Sequence, residues 1–282
     1  MHLNPQLVPV ALSLVAVCAW GSSDFVGGVA SRRVNAFLFT AMAHACAVAV
    51  MGGAAVLWHA PFPARHALVW AVAAGAVGGI SLAVFYRALS FGQMGLTTPV
   101  AAVLGAAIPT IFEIATEGSP GVVPLVGFVC AGCGVWLISR EEDGHGRPAG
   151  LGLAVLAGIG FAGFYLFIHQ AGKESAAWLA TISRLMSLIV TAAAVLFSGA
   201  VRRVDRGTLA LAGLAGTLDV TGTAVFIRAS QMGRLDAAVV LSSLYPAITV
   251  LLARLILKEH FTRWKTVGML TALAAVPLIA LQ

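Results

Sequence analysis

The sequence has 282 residues, of which 60% are apolar and only 10% charged, with a mean hydropathy of +0.95. A soluble domain carries about 25% charged residues, so a water-soluble fold has no way to hide this much apolar surface. The net charge of +6 lies in short basic clusters between apolar runs, which makes it a property of loops and not a nucleic-acid face.

Apolar runs long enough to cross about 30 Å of hydrocarbon as helices recur from end to end. Ten spans are expected, at 7–28, 36–58, 68–89, 97–115, 121–139, 149–170, 178–199, 208–229, 237–257 and 264–281. The first follows MHLNPQ, which has no basic stretch, and ends at WGSSDF, so it is expected to stay as a span and not to be cleaved as a signal. Turn-forming stretches such as HAPFPARH, EGSPG and VRRVDRG separate the runs. Pro246 lies within the ninth run, where its missing N–H is expected to kink the helix. The most polar connection, 142–148, is the expected linker between a first unit over 1–141 and a second over 149–282.

The two units repeat each other. VFIRASQMG at Val225 copies VFYRALSFG at Val84, 141 residues earlier, and the same offset pairs Arg228 with Arg87, Gly233 with Gly92 and Gly268 with Gly127. A period of half the chain marks two homologous halves. Five spans per half is an odd number, so the second half enters the membrane in the opposite sense. The expected fold is all-α integral membrane, ten transmembrane helices as two inverted five-helix repeats, with a binding site near the midplane where the repeats meet. Twelve basic residues, among them Arg32, Arg33, Arg202 and Arg203, face the side of the first loop, against Arg65, Lys173, Arg228 and Arg234 on the other. That bias makes the first-loop side cytoplasmic and leaves both termini outside.

Three stretches carry a family resemblance over essentially the whole length. AWGSSDF at Ala19 holds a Trp-Gly pattern in the first helix, TISRLMS places Arg184 in the second helix of a repeat, and SLYPAITVLLARLILKE from Ser243 joins a proline, an apolar helix and Glu259 ahead of a Gly-containing last helix. Together they resemble the EamA family of the drug/metabolite transporter superfamily. The first half departs from the pattern with His44 where the arginine is expected, and Glu117 fits only with one residue inserted. The resemblance implies a metabolite exporter of a bacterial cytoplasmic (inner) membrane, carrying amino acids, with sugars or drugs as the alternative cargo. It implies a small-molecule substrate, no cofactor, and a monomer or weak homodimer.

Ionisable side chains deep in a span are costly and point to function. Asp219, twelve residues into the eighth span, shares a helical face with Gly216, Thr223 and Phe226. It reads either as a substrate partner or as a buried carboxylate, held by Arg184 or His44, that locks two helices together. Arg184 and His44 occupy matching depths in the seventh and second spans. A cation there would take a substrate carboxylate and Asp219 an amine, which suits a zwitterion. Ser242, Tyr245 and Thr249 form a polar stripe beside Pro246. Trp20 and Asp24 share a face of the first span, where Asp24 either lines a site or pairs with Arg32 near the inner end. Phe161, Phe164, Tyr165 and Phe167 crowd the sixth span, facing lipid or core or lining an apolar pocket.

Cys130 and Cys133 form a CxxC, but all four cysteines lie in apolar runs, where packing is the expected role. Gly75 and Gly79 form a GxxxG, expected to bring two helices close. The sequence has no HExxH or GxSxG, which counts against the alternative of a membrane-embedded enzyme. No filter signature or repeated charged ring marks a channel.

Overall fold

The computed structural model describes residues 7–91, 94–139, 150–258 and 263–279. Among these residues there are eleven helices and no strand: α1 (Leu7–Ala30), α2 (Ala36–Leu57), α3 (Arg65–Ser90), α4 (Met94–Glu117), α5 (Val122–Ser139), α6 (Leu151–Gln170), α7 (Ala176–Phe197), α8 (Arg206–Met232), α9 (Leu235–Ser242), α10 (Tyr245–Leu257) and α11 (Arg263–Ile279). Eight stretches are long and apolar enough to cross a membrane, one of them the run Leu235–Leu257 that α9 and α10 share, and Val122–Gly134 is a shorter apolar helix. Only helices close every backbone bond within one segment in hydrocarbon. The result is an all-helical, multi-pass membrane protein.

Helices stand at all ten expected places, but α5 and α11 fall outside the eight spanning stretches. The expected linker, 142–148, lies outside the described residues. The kink expected at Pro246 is a break just before it: α9 ends at Ser242 and α10 begins at Tyr245, with Pro246 in its first turn, a position that needs no N–H donor.

Short polar connections start several helices. Asn35 Oδ1 accepts from the Phe37 and Leu38 amides at 2.9 and 3.2 Å, Ser175 Oγ from Trp178 N at 3.4 Å, and Asp205 Oδ2 from Thr208 N at 3.1 Å. Each satisfies amides that the helix itself leaves unpaired.

The packing exchanges the halves. α1 lies on α8 as α3 lies on α6; α3 contacts α7 as α2 contacts α8; α2 meets α7 and α5 meets α11. Small residues set these close approaches, since dispersion and not the hydrophobic effect drives helices together in lipid. A Cβ added at Gly75 would sit 2.1 Å from the Ser183 carbonyl oxygen, and one at Gly216 would sit 2.0 Å from that of Ala43. Ser187 Oγ donates to the Gly75 carbonyl at 2.7 Å across the α3–α7 contact, so the GxxxG of α3 is a packing seam.

At the end that holds the α2–α3 and α6–α7 connections, polar bonds tie the connections to each other and to α8 and α9. Trp178 Nε1 donates to the Ala60 carbonyl at 2.9 Å, and Gln231 Nε2 donates to the carbonyls of Gly172 and Glu174 at 3.0 and 2.9 Å. Arg234 Nη2 reaches the Gly118 carbonyl at 2.9 Å, and Glu113 Oε1 accepts from Leu235 N at 3.2 Å to start α9.

Candidate functional site

The charged residues expected at depth converge because α7 and α8 are neighbours and both lie against α2. Arg184 Nε donates to Asp219 Oδ2 at 2.5 Å and Nη2 to Oδ1 at 3.0 Å. Arg184 Nη2 also donates to Thr223 Oγ1, which in turn donates to the Asp219 carbonyl at 2.9 Å, one helical turn back. Two-pronged guanidinium–carboxylate pairing fixes orientation as well as charge. The guanidinium lies over the Phe164 ring, 5.3 Å from its centroid, so its face is covered too.

His44 stands behind this pair. Its Nε2 is 3.8 Å from Asp219 Oδ2, too far for a hydrogen bond, and neither ring nitrogen has a hydrogen-bond partner in its fully buried setting. It is absent from the cavity wall described next.

Beside the pair is a cavity of about 40 Å³, open to a water-sized sphere. One water needs roughly 10–15 Å³ on that measure, so there is room for water or a small polar head. Trp20 and Asp24 of α1, Phe161 and Tyr165 of α6, Arg184, Asp219 and Tyr245 all line it. Trp20 is held by its indole N–H, which donates to the Asp219 carbonyl at 3.2 Å and to Thr223 Oγ1 at 3.4 Å. Its ring packs 5.4 Å from Phe226 and 6.0 Å from Tyr165, a cluster of the size that favours tilted aromatic pairs.

Asp24 does not pair with Arg32. It is 6% exposed, points into the cavity wall, and has no ion pair or hydrogen bond among the described residues. Arg32 lies two turns further on, beyond the end of α1, and is exposed. The polar stripe near Pro246 is divided. Tyr245 faces the cavity with its buried hydroxyl unpartnered, Ser242 is buried with its hydroxyl unpartnered and off the wall, and Thr249 Oγ1 donates to the Gly21 carbonyl at 3.0 Å to join α10 to α1.

The sixth-span aromatics divide too. Phe161, Phe164 and Tyr165 line the cavity, while Phe167 packs 5.7 Å from Trp70. Gly78 and Leu82 of α3 complete the wall; nothing in their residue type marks them, and only their turn-by-turn spacing on one face of α3 could have found them. Glu113, which caps α9, was also missed, because its role depends on a partner 122 residues away. The four cysteines are free. Among the described residues no group of three or more His, Cys, Asp or Glu could hold a metal ion.

The cavity is polar and aromatic, and helices from both halves of this multi-pass membrane protein wall it. Residues 148–281 match the model of the EamA-like transporter family, so the second half of the chain is similar to that family. A solved structure described as "Crystal structure of protein" is similar, with a TM-score of 0.74 and 15% identity, covering 97% of this chain and 96% of the other. At that identity the likeness speaks for the fold alone. No curated protein matches the chain.

Proposed function

We propose that the protein exports small amine-bearing metabolites, amino acids first among them, across a bacterial cytoplasmic membrane by alternating access between two inverted five-helix repeats. One observation carries the reading: the cavity, with its buried charges and aromatic wall, takes residues from both halves of the chain. Polar groups sunk in hydrocarbon cost stability and are kept where a substrate uses them.

The inverted repeat is supported by the 141-residue offset between Val84 and Val225 and by the exchanged packing of α1 on α8 and α3 on α6. Repeats so related rock about a site at their interface. The bias of basic residues supports termini on the outside, which puts the hydrogen-bonded end around Trp178 and Gln231 at the outer surface. A cavity of about 40 Å³ is far below the roughly 300 Å³ that encloses a drug-sized ligand, so this is a closed form that must part to load.

Release of radiolabelled phenylalanine from reconstituted vesicles tests the reading, with Leu82→Trp as the control that fills the cavity. Wild type should release the label and Leu82→Trp should slow release at least about tenfold, or about 1.4 kcal/mol in the limiting barrier. Equal release by both proteins would place transport elsewhere.

A further inference from the structure

The cavity wall holds one carboxyl group that has no cation partner among the described residues. Arg184 and Asp219 satisfy each other through two contacts, and Thr223 takes a further guanidinium N–H. Asp24, on the same wall, has neither ion pair nor hydrogen bond among the described residues and is 6% exposed. The Tyr245 hydroxyl on that wall is likewise buried and unpartnered. A buried carboxylate without a partner is costly, and an arriving cation removes the cost.

We propose that Asp24 is the anchor for a protonated amine, and that the site reads its substrate by the ammonium and an apolar body, not by a carboxylate. An ammonium brings three donors; Asp24 and the open Tyr245 hydroxyl can both accept. The faces of Trp20 and Tyr165 beside them attract cations and pack against an apolar group. A substrate carboxylate has no such welcome. The Arg184 guanidinium gives Nε and Nη2 to Asp219 and Thr223 and lies over Phe164, so its charge is already balanced by Asp219, and drawing it away would leave Asp219 without its partner. Asp24 is therefore the cavity's carboxyl that is left to pair with a substrate cation. The inference rests on the transport reading above and shifts it from amino acids to amines in general, with or without a carboxylate.

Binding and transport separate the two claims. Wild type, Asp24→Asn and Asp24→Glu, purified in detergent, are titrated by tryptophan fluorescence with phenethylamine, phenylalanine and 3-phenylpropanoate, which share a phenyl ring and differ in charge. Phenethylamine and phenylalanine should bind wild type, and 3-phenylpropanoate at least about tenfold more weakly. Asp24→Asn should weaken both amines by about tenfold or more while leaving 3-phenylpropanoate unchanged, and Asp24→Glu should restore much of the loss.

Equal binding of all three probes by wild type, or amine binding that Asp24→Asn leaves intact, overturns the anchor. So does a uniform loss for all three probes with a lower melting temperature, the mark of a structural role. The wild-type order of the probes stands as a test even if Asp24→Asn fails to fold. Amines that bind through Asp24 yet are never released from wild-type vesicles would overturn the transport reading and spare the anchor; release that ignores Asp24→Asn would do the reverse.

Discussion

Arg184 and Asp219, 35 residues apart, meet through two contacts of 2.5 and 3.0 Å that join α7 to α8 beside the cavity. Both side chains are 6% exposed. A pair this buried is worth little net, but removing one partner leaves the other charge stranded, at a cost of about 3–5 kcal/mol.

The first prediction follows from that asymmetry. Arg184→Met should lower the thermal stability of the detergent-purified protein sharply, because Asp219 loses its two-pronged partner. Arg184→Met combined with Asp219→Leu should recover most of the loss, since two apolar groups replace the pair. Melting curves of the single and double variants decide it; a double variant less stable than either single one would show that the pair contributes more than its mutual neutralisation.

The α3–α7 seam gives a second. Gly75 has no space for a side chain, since a Cβ would lie 2.1 Å from the Ser183 carbonyl oxygen, whereas a Cβ at Gly53 meets nothing within 4 Å. Backbone atoms cannot rotate aside as a side chain can. Gly75→Ala should therefore force α3 and α7 apart, with a loss at the upper end of the roughly 1–3 kcal/mol seen for overpacking, while Gly53→Ala should be neutral or gain up to about 1 kcal/mol from helix propensity. Comparing the two melting temperatures checks it, and a Gly75→Ala protein as stable as wild type would contradict the close approach.

Spans and depths were legible in the sequence because each depends on one local property. Apolar runs of membrane length mark helices, and an ionisable residue far from either end of a run marks the interior. Asp219 and Arg184 were found that way. Asp24 was ambiguous, because it stands only six residues from the last residue of α1; its position on the wall depends on how α1 lies against α8, which composition does not encode. The split of the ninth span between Ser242 and Tyr245 was half legible: Pro246 signalled disruption, but α4 runs on through Pro99 and Pro109, so proline alone does not say where a helix breaks. Gly78 and Leu82 carry no chemical mark. Their role follows from lining the same cavity as Phe164 and Arg184, a purely tertiary relation.

A third prediction concerns the exposed start of α8. Asp205 Oδ1 accepts from Thr208 Oγ1 at 2.6 Å and Oδ2 from the Thr208 amide at 3.1 Å. These donors, the hydroxyl first, hold the carboxyl below its ordinary value of 3.8. A depressed acid pKa means stability that is present above the unfolded value and lost as pH falls through the folded one. Relative to its intrinsic rate, Thr208 amide exchange should therefore quicken as pH drops below 3.8 in wild type. In Asp205→Ala it should be fast throughout and free of that pH dependence. An unchanged rate in the alanine variant would remove Asp205 as the cap.

The last prediction uses the contact between Trp20 and α8. A Cβ added at Gly222 would lie 2.7 Å from Cδ1 and 2.9 Å from Nε1 of the Trp20 indole. The ring is backed by Phe226 at 5.4 Å and Tyr165 at 6.0 Å, and one side of it borders the cavity. A rigid bicycle cannot absorb the clash by bending, so Gly222→Ala should push the indole toward the cavity and break its bonds to the Asp219 carbonyl and Thr223 Oγ1. No charge changes and the Arg184–Asp219 contacts remain. The fold should therefore lose about 1–3 kcal/mol, while vesicle release falls by at least about tenfold through a narrowed cavity. Tryptophan emission, shifted by the altered surroundings of Trp20, tracks the displacement independently of transport. Gly222→Ala with wild-type release and wild-type emission would mean that α1 and α8 separate to accommodate the methyl group and that Trp20 is not held where the cavity needs it.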